Sequence, residues 1–513
     1  MLSKLKSFGL IGLNGFKIDV EVDINLGLPA YEIVGLADTA VKESKERVRS
    51  AIKNSGFKYP MDRVTVNLAP ADKKKEGPIY DLAIAAGLLL ATGQINVPSA
   101  RKYVYFGELS LDGAVRHING LLPLLISARA EKHMDFIIPK ENAAEASYID
   151  GINVYPVESL RQLCAFLCGN MSIEPIKQHI WRRETGRIYE GFDFARVKGQ
   201  ESAKRALTIA AAGGHNVLMI GPPGAGKTML SKCLATILPT MTFDEALETT
   251  KIHSIAGELE SSQGIVNCRP FRAPHHSATA QSLIGGGRNS KPGEICLAHN
   301  GVLFLDELPE YGRHVLEMLR QPLEDGTVTI ARAQQTVEYP ANFMLVASMN
   351  PCACGNYGSS KNECRCSKSQ IAKYLSKLSG PLLDRIDIHI EVDSVTFEDL
   401  TDKNPSKTTS EILRERVEFA RRIQNERFAD CKTFGNSHMN PAQTESYCKL
   451  NEEAALLLKK AFESLKMSAR AYTRILKVAR TIADLECSQN IEKSHISEAI
   501  QYRSLDRKYR NIL

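Results

Sequence analysis

The chain has 513 residues, of which 43% are hydrophobic and 24% charged, and its formal net charge is +6 at pH 7. This is the composition of an ordinary globular protein, and at about 150 residues per domain the length predicts about three domains. The charge falls short of the strongly basic balance of dedicated nucleic-acid domains, so it permits an anionic partner without arguing for one. Because no apolar run of about 18 residues and no secretory signal is present, we expect a cytoplasmic protein without a membrane partner.

Residues 1–168 alternate the patterns of strands and helices. KIDVEVDI, at residues 17–24, alternates apolar with charged side chains as half-buried strands do, and RVTVNL at residues 63–68 repeats the device. Between them a surface helix is predicted to begin after an Asp38 N-cap and to stop at Gly56. An apolar helix DLAIAAGLLLATG, a strand YVYFGELSL and a helix within LPLLISARAEKH follow. These elements predict a separate α+β or α/β domain.

Three further segments complete the predicted organisation. Residues 169–195 are irregular and basic, and we interpret them as a linker with a solvated, charged surface. Residues 196–395 alternate helices with apolar strands, which indicates an α/β domain with a parallel sheet. Residues 396–513 are mostly helical in pattern.

A glycine-rich sequence predicts a phosphate-binding loop. The apolar run VLMI leads into GPPGAGKT and then into an amphipathic helix, and this strand-loop-helix context disfavours a turn that binds nothing. In such a loop the backbone N–H groups point at phosphate oxygens, and the helix N-terminus adds partial positive charge. Lys227 would reach the β- and γ-phosphates, and the Thr228 hydroxyl would take a Mg²⁺ position. The predicted ATP-binding residues of the loop are Gly221, Pro222, Pro223, Gly224, Ala225, Gly226, Lys227 and Thr228.

Polar side chains follow two other predicted strands. GVLFLDE ends in Asp306 and Glu307, and NFMLVASMN ends in Asn350. Because parallel strands present their carboxyl ends at one edge of a sheet, we expect these side chains beside the phosphates. Asp306 would hold Mg²⁺, Glu307 would orient or polarise the attacking water, and Asn350 would contact the γ-phosphate or that water. Singly such residues are more often caps, but three strand ends with complementary chemistry favour an ATPase.

An arginine in GPLLDRIDI has two interpretations. Arg385 would ordinarily be the partner of an ion pair. Alternatively it would stabilise transition-state charge in the site of a neighbouring subunit, as an arginine finger does. Spacing alone does not decide between them.

Four of the 12 cysteines lie within PCACGNYGSSKNECRC, which chance does not explain. Residues i and i+2 of an extended segment face the same side, so both thiols of a Cys-x-Cys pair can reach one ion. Two such pairs, separated by a nine-residue loop, suit the tetrahedral thiolate preference of a structural Zn²⁺. Free thiols are the alternative. His275 and His276, in APHHS, are interpreted as structural or close to the nucleotide rather than as metal ligands. The predicted zinc ligands are Cys352, Cys354, Cys364 and Cys366.

Longer motifs resemble one protein family. GPPGAGKT, FRAPHHSATAQSLIGGG, KPGEICLAHNGVLFLDELPEY, LRQPLEDG and LSGPLLDRID together are similar to the magnesium-chelatase-like AAA+ ATPases, and more narrowly to the ComM/YifB family of bacterial proteins. The resemblance runs nearly end to end. It implies an α/β fold, with a P-loop AAA+ module and a helical lid. It also implies a helix-2 insert around Phe271 to Glu294 and a β-hairpin within TVTIARAQQTVEYPA.

The same resemblance implies assembly and further catalytic residues. Members of the family form ring-shaped hexamers, so Arg385 is expected to be the finger. A sensor arginine of the lid is offered by Arg470 in MSARAYTRILKVART. Without the resemblance, Arg470 is interpreted as surface charge.

The resemblance also implies a substrate class. It predicts a motor on single-stranded or branched DNA that drives branch migration or helicase activity in recombination during natural transformation. Arg332 on the hairpin and Arg288 and Lys291 on the insert would meet DNA phosphates in a central pore, although exposed hairpin charges also serve solubility.

Two other functions compete with the DNA motor. One is a magnesium-chelatase-like, protein-remodelling motor that acts through partner subunits. The other is a non-enzymatic scaffold, which the intact Lys227, Thr228, Asp306 and Glu307 argue against.

The amino-terminal domain resembles a protease fold without its catalytic groups. KKKEGPIYDLAIAAG, GELSLDGAVRHINGLLPLL and FIIPKEN are similar to the Lon protease fold, whose dyad is a Ser after Gly-Pro and a Lys after Gly-Leu. In this chain Ile79 and Leu122 stand at those positions, and neither Tyr80 nor Asp81 replaces both groups. Because an aliphatic side chain can neither attack a carbonyl nor accept a proton, we predict no peptidase activity and a role in ring assembly or partner contact.

Overall fold

The computed structural model describes residues 1–183, 191–260, 262–287, 290–332, 335–358, 363–393, 408–431, 433–465 and 467–503. Among these residues no helix is both long enough and apolar enough to cross a lipid bilayer. The described chain contains two large sheets with helices packed on them, followed by a group of carboxy-terminal helices. This mixed α/β architecture with parallel strands agrees with the predicted fold class.

The amino-terminal elements form a seven-stranded sheet with its helices. In chain order they are β1 (Leu2–Ile11), β2 (Asn14–Asn25), β3 (Ala30–Val34), α1 (Thr39–Asn54), β4 (Arg63–Ala69), α2 (Asp81–Ala91), β5 (Val104–Tyr105), β6 (Glu108–Leu109), β7 (Val115–Arg116), α3 (Leu121–Ala130), β8 (Asp135–Pro139), α4 (Ala143–Ala146), β9 (Asn153–Val157) and α5 (Leu160–Leu167). The strand order is β3-β4-β2-β1-β5-β8-β9, while β6 and β7 form a separate ribbon. The pairs β1-β2 and β2-β4 are antiparallel and the other pairs of the large sheet are parallel, so the sheet is mixed.

Local sequence signals explain most of these elements. Ile18, Val20 and Val22 of β2 are fully buried, as the alternating pattern predicts, and each such side chain contributes on the order of 1.5–3 kcal/mol of apolar burial. Helix α1 begins where predicted, because the Asp38 carboxylate accepts a hydrogen bond of 2.8 Å from the Val41 N–H. The single strand predicted for YVYFGELSL is wrong, because the segment forms two short strands, β5 in the large sheet and β6 in the separate ribbon, with Phe106 and Gly107 between them.

The second sheet is built from the middle of the chain. Its elements are α6 (Glu201–Gly213), β10 (Val217–Ile220), α7 (Lys227–Ile237), α8 (Phe243–Ala256), β11 (Phe271–Arg272), α9 (Ala280–Ile284), β12 (Gly285–Gly286), β13 (Lys291–Pro292), α10 (Glu294–Leu297), β14 (Val302–Leu305), α11 (Arg313–Met318), α12 (Pro322–Asp325), β15 (Thr327–Arg332), β16 (Gln335–Pro340), β17 (Met344–Met349), α13 (Lys368–Leu375), α14 (Gly380–Leu383) and β18 (Ile388–Glu391). Five parallel strands follow the order β11-β14-β17-β10-β18. The predicted hairpin is confirmed, because β15 and β16 pair antiparallel from Thr327↔Pro340 to Arg332↔Gln335.

This strand order determines where the candidate site lies. Strand β17 is hydrogen-bonded to β10 on one side and to β14 on the other, with Ile220 opposite Met349 and Leu305 opposite Ala347. Parallel strands in register end at the same edge, so the segments that follow these three strands are neighbours. All four residues of β10 and of β14 are buried, which explains their uninterrupted apolar sequences.

The carboxy-terminal helices pack on one side of the second sheet. They are α15 (Ser410–Arg427), α16 (Pro441–Tyr447), α17 (Glu452–Leu465), α18 (Ala469–Leu485) and α19 (Lys493–Gln501). Val417 of α15 and Ile475 and Ala479 of α18 are buried in one hydrophobic cluster with Leu207 and Ala210 of α6. The helical group is therefore part of a core that it shares with the sheet.

Buried contacts join the amino-terminal sheet to the second one. The Gly120 N–H donates to the Ser254 carbonyl at 3.1 Å, and the Ser254 hydroxyl donates to the Glu145 carboxylate at 2.9 Å. At a second point, a Cβ added to Gly12 would come within 2.5 Å of Cγ1 of Val337 on the hairpin. The turn between β1 and β2 thus lies directly against β16.

The buried Glu145 makes this junction sensitive to pH. Burial raises the pKa of Glu145 to about 7, although hydrogen bonds from Asn142 and Ser254 act to lower it. Since an exposed glutamate titrates near pH 4.3, the folded state holds a proton that the unfolded state releases, and stability falls as pH rises from about 4.3 to about 7. Glu145→Gln cannot ionise, so its thermal midpoint is expected to fall less than that of the wild type between pH 5 and pH 8.

The matched control for this prediction is Glu131→Gln, which alters an exposed carboxylate of the same region. It should follow the wild-type pH dependence. An equal loss of thermal midpoint in the Glu145→Gln protein would contradict a protonated, buried carboxyl at the junction.

Candidate functional site

The glycine-rich loop connects β10 to α7. Gly224 and Gly226 have φ angles of +77° and +84°, a left-handed conformation that glycine adopts without the steric cost of a side chain. A residue with a Cβ would be strained at either position. The loop therefore reverses the chain tightly, and Lys227 is the first residue of the helix that follows.

The Lys227 ammonium is held by three oxygens. Its Nζ donates to the Gly221 carbonyl at 2.6 Å, to the Pro222 carbonyl at 2.9 Å and to Oδ1 of Asn350 at 3.1 Å. Burial lowers the pKa of Lys227, while the carboxylates of Asp306 and Glu307 act in the opposite direction. The sequence prediction that the loop lysine and the asparagine after β17 lie together is confirmed by this contact.

The first acid of the pair after β14 lies beside the loop threonine. The Thr228 hydroxyl donates to Oδ2 of Asp306 at 2.9 Å, and the Ser348 hydroxyl donates to the other carboxylate oxygen. The Glu307 N–H also donates to Oδ1 of Asp306, at 3.0 Å. These three donors fix the Asp306 carboxylate, so that its oxygens and the Thr228 hydroxyl form a group of hard ligands of the kind that Mg²⁺ prefers.

The second acid of the pair has a more open environment. Glu307 has a left-handed backbone, with φ of +53°, and its side chain is 54% exposed. The carboxylate lies 3.6 Å from Nδ1 of His276, whose ring lies 4.0 Å from that of His275. His276 is thus next to the candidate catalytic acid, in agreement with a position close to the nucleotide site.

The two arginines predicted to act on phosphate lie together at another place. Arg385 is 6% exposed; its Nη1 donates to the Pro381 carbonyl at 2.8 Å and its Nη2 donates to the Glu324 carboxylate. Nη2 of Arg470 lies 3.6 Å from the other oxygen of Glu324. The hydrogen bond from Arg385 lowers the pKa of Glu324 against the opposing effect of burial, and the charges of Arg385 and Arg470 act in the same direction as the hydrogen bond. Within the part of the chain that the structure describes, the Arg385 guanidinium is therefore the partner of an ion pair, which is the first of its two interpretations.

A second ion pair ties the arginine segment to the carboxy-terminal helices. Arg474, one turn after Arg470 on α18, pairs with the fully buried Asp387. Although burial opposes it, Arg474 and His215 hold the pKa of Asp387 well below its usual range. The segment that contains Arg385 is therefore anchored both to the sheet and to α18.

The four clustered cysteines come together in space. Their Sγ atoms all lie within 4.8 Å of one another, and Cys352 is fully buried. The Sγ atoms of Cys352 and Cys354 are 3.3 Å apart, and that of Cys364 lies 3.7 Å from each of them. Hydrogen bonds from the backbone of Asn356 and Arg365 lower the pKa of Cys354, whereas the pKa values of the neighbouring Cys364 and Cys366 are raised. The donor set is compatible with a zinc ion.

The residues predicted to meet DNA are only partly described. Lys291 is exposed on β13. Arg288 lies outside the described residues, and so does the side chain of Arg332, whose backbone ends β15. Their approach to a pore stays a prediction.

Two residues of the site, Ser348 and Glu324, were not predicted from the sequence. Ser348 lies two residues before Asn350, and this period-two spacing at a strand end was the available signal. Glu324 lies in LRQPLEDG and had no local signal for its partners. His276 was interpreted as structural or close to the nucleotide, but no spacing rule connected it with Glu307.

A parallel sheet with a Gly-x4-Gly-Lys-Thr loop and an acid pair at the carboxyl ends of adjacent strands defines the class of P-loop ATPases. Comparison with protein-family models gives the family. Residues 193–400 match the model described as magnesium chelatase, subunit ChlI; residues 20–142 match subunit ChlI of Mg-chelatase; residues 407–503 match the ChlI C-terminal model.

Curated relatives narrow the family further. The chain is 45% identical over 500 residues to competence protein ComM of Haemophilus influenzae, covering 97% of this chain and 96% of that protein. It is 42% identical over 508 residues to the uncharacterized protein YifB of Escherichia coli, covering 99% and 98%. The magnesium-chelatase 38 kDa subunit of Cereibacter sphaeroides is 27% identical over 179 residues, covering 31% of this chain and 53% of that subunit. The chain belongs to the ComM/YifB group of the magnesium chelatase family. Membership of this family supports the assignment of the chain as an AAA+ ATPase.

Proposed function

We propose that this protein hydrolyses ATP with Mg²⁺ as cofactor and uses the energy to drive a ring-shaped motor on DNA. The observation that carries the ATPase is a pair of direct hydrogen bonds in the site, from Lys227 to Asn350 and from Thr228 to Asp306. Three separate strand ends contribute to it. Such convergence is what charge stabilisation of a transferred phosphoryl group requires.

Each residue has a distinct role in this proposal. The loop from Gly221 to Gly226 and the N-terminus of α7 bind the phosphates, and the Lys227 ammonium exchanges its carbonyl partners for β- and γ-phosphate oxygens. Thr228 and Asp306 would hold a Mg²⁺ ion, which would supply positive charge to neutralise the phosphates. Glu307 takes the proton of the attacking water, since its carboxylate is exposed at the same strand end.

The arginines complete the site from another subunit. Because Arg385 and Arg470 share one carboxylate on the same chain, a single approaching phosphate group can replace Glu324 as their anion. This supports their joint action across an interface, with Arg385 as the finger and Arg470 as the sensor of the lid. A homo-hexameric ring is the assembly that repeats such an interface in a closed form.

The proposed substrate is DNA, single-stranded or branched, with a helicase or branch-migration activity in recombination during natural transformation. Support comes from the nearly complete coverage of the protein named competence protein ComM. The magnesium-chelatase subunit, which would favour a protein-remodelling motor with partner subunits, matches only 31% of this chain. Six copies of Arg288, Lys291 and Arg332 would give the pore a positive charge for the phosphate backbone.

The amino-terminal part keeps a scaffold role in the proposal. We assign residues 1–168 to a Lon-protease-like domain without its dyad, residues 169–195 to a linker, 196–395 to the AAA+ core and 396–513 to the lid. Leu122, at the dyad lysine position, is 1% exposed within a hydrophobic cluster, which supports a structural rather than a chemical use. The contacts of this domain with the hairpin, through Gly12, and with α8, through Gly120 and Glu145, suit transmission of motion or ring assembly.

The test is the rate of ATP hydrolysis with and without single-stranded, double-stranded and branched DNA. We expect severalfold stimulation by single-stranded or branched DNA, and none in the Glu307→Gln protein. Stimulation should weaken as salt rises, because phosphate contacts release counterions. Equal turnover with every DNA would instead support the protein-remodelling motor.

A further inference from the structure

The spacing of the clustered cysteine sulfurs is close to that of a four-thiolate metal site. Four thiolates at about 2.3 Å from a tetrahedral zinc lie about 3.8 Å apart. The separations of 3.7 Å from Cys364 to Cys352 and to Cys354 match this value, the Cys352–Cys354 separation of 3.3 Å is shorter, and all four Sγ atoms lie within 4.8 Å of one another. They are far from the S–S bond of about 2.0 Å that a disulfide requires. The cluster therefore suits one ion rather than a pair of disulfides.

Backbone donors surround the sulfurs as they surround metal-bound thiolates. The Tyr357 N–H donates to Sγ of Cys352 at 3.4 Å, and N–H groups of Asn356 and Arg365 reach Cys354. Such outer contacts orient ligands and disperse their negative charge. With four protein ligands the site is closed, and a closed zinc site has a structural role.

The loop that carries the cysteines lies against the phosphate-binding loop. A Cβ added to Gly355 would come within 2.6 Å of Cδ of Pro223, and the φ of Gly355 is +80°. Gly355 is the residue after Cys354, so its position depends on how that thiol is held. The segment that carries Cys354 and Gly355 thus packs against Pro223 of the phosphate-binding loop.

The cluster also follows directly on the strand that ends at Asn350. Cys352 is two residues from Asn350, whose Oδ1 accepts the hydrogen bond from Lys227. Cys352 is buried in one hydrophobic cluster with Ile371 and Tyr374 of α13, on the far side of the loop. An ion that joins both Cys-x-Cys pairs would hold β17, the loop and α13 together.

We propose that Cys352, Cys354, Cys364 and Cys366 bind one structural Zn²⁺, and that this ion holds Gly355 against Pro223 and Asn350 against Lys227. Nucleotide affinity consequently depends on zinc, although zinc does not touch the nucleotide. The inference about affinity rests on the proposed ATP site, whereas zinc binding does not.

Zinc content and nucleotide affinity are measured separately on the full chain. The purified wild type should contain one zinc per chain by elemental analysis, and Cys364→Ser should lose it. The Kd for a non-hydrolysable ATP analogue should rise at least tenfold in that variant. The control is Cys431→Ser, since Cys431 is exposed and outside the cluster, and it should keep both the zinc and the wild-type Kd.

A glycine substitution separates the metal site from its effect on the loop. Gly355→Ala keeps all four thiols but places a methyl group against Pro223, so it should retain zinc and still weaken nucleotide binding. Gly93→Ala is the matched control, because Gly93 has a similar φ of +70° with no atom near its missing Cβ. It should bind the analogue as the wild type does.

Three results would overturn the proposal. A purified wild type that contains no zinc, and in which the thiols of Cys352, Cys354, Cys364 and Cys366 all react freely, would show that the cluster is not a metal site. Zinc present but an unchanged Kd in both Cys364→Ser and Gly355→Ala would remove the coupling to the loop. If Cys364→Ser does not fold, removal of zinc from the wild type with a chelator replaces it. An unchanged affinity of the chelated protein for the ATP analogue would then overturn the proposal. A zinc-loaded wild type that binds no nucleotide would instead contradict the proposed ATPase.

Discussion

Replacement of Glu307 by glutamine is expected to lower kcat for ATP hydrolysis by about 10²- to 10⁴-fold, the usual contribution of a general base. The substitution keeps the shape of the side chain but removes its ability to take a proton from water. Glu307 is half exposed at the end of β14, and the Lys227, Thr228 and Asp306 contacts do not involve its side chain. Nucleotide binding should therefore stay close to that of the wild type.

Steady-state hydrolysis and equilibrium binding of ATP together check this prediction. Glu310→Gln is the matched control, because Glu310 lies three residues further on, is exposed and pairs with Lys377 at 3.1 Å. It should retain nearly full activity. Lys227→Ala, by contrast, should lose nucleotide binding as well as turnover. Comparable turnover in the Glu307→Gln and wild-type proteins would assign the water-activating role to another group.

The central site was predictable because its residues follow patterns of short range. A glycine-rich loop after a buried strand and polar residues at two other strand ends are visible in the sequence, and parallel pairing makes them neighbours. The contacts of Asn350 with Lys227 and of Thr228 with Asp306 confirm that step. Parallel pairing places the side chains that follow the strands at one edge of the sheet, whatever the order of the strands within it.

Side-chain pairs across long stretches of chain were not predictable in the same way. Glu324 meets Arg385 and Arg470, which are 61 and 146 residues further on, and many other arginines were equally available to it. The choice depends on how α12, α14 and α18 pack, which no local pattern encodes. The predicted strand YVYFGELSL is wrong for a related reason. Its residues belong to two strands of different sheets, β5 and β6, and composition does not mark the break between them.

Arg385→Ala is expected to lower kcat by about 10³-fold or more, the range found for arginine fingers. Its partner Glu324 keeps Arg470 as a neighbour at 3.6 Å, so the carboxylate is not left without a counter-ion. The thermal midpoint checks that the chain still folds. Arg320→Ala is the matched control, because Arg320 forms a half-exposed pair with Glu317 within α11 and its neighbouring turn, and such pairs contribute little.

A mixing experiment decides whether Arg385 acts across an interface. Arg385→Ala subunits have an intact Lys227, and Lys227→Ala subunits have an intact Arg385, so each inactive protein supplies what the other lacks. In randomly mixed rings about a quarter of the interfaces join an intact site to an intact arginine, and hydrolysis should reappear to a comparable extent. Light scattering checks that mixed assemblies form. A mixture that assembles but stays as inactive as its components would place the action of Arg385 within its own subunit. Its ion pair with Glu324 would then be the whole of its role.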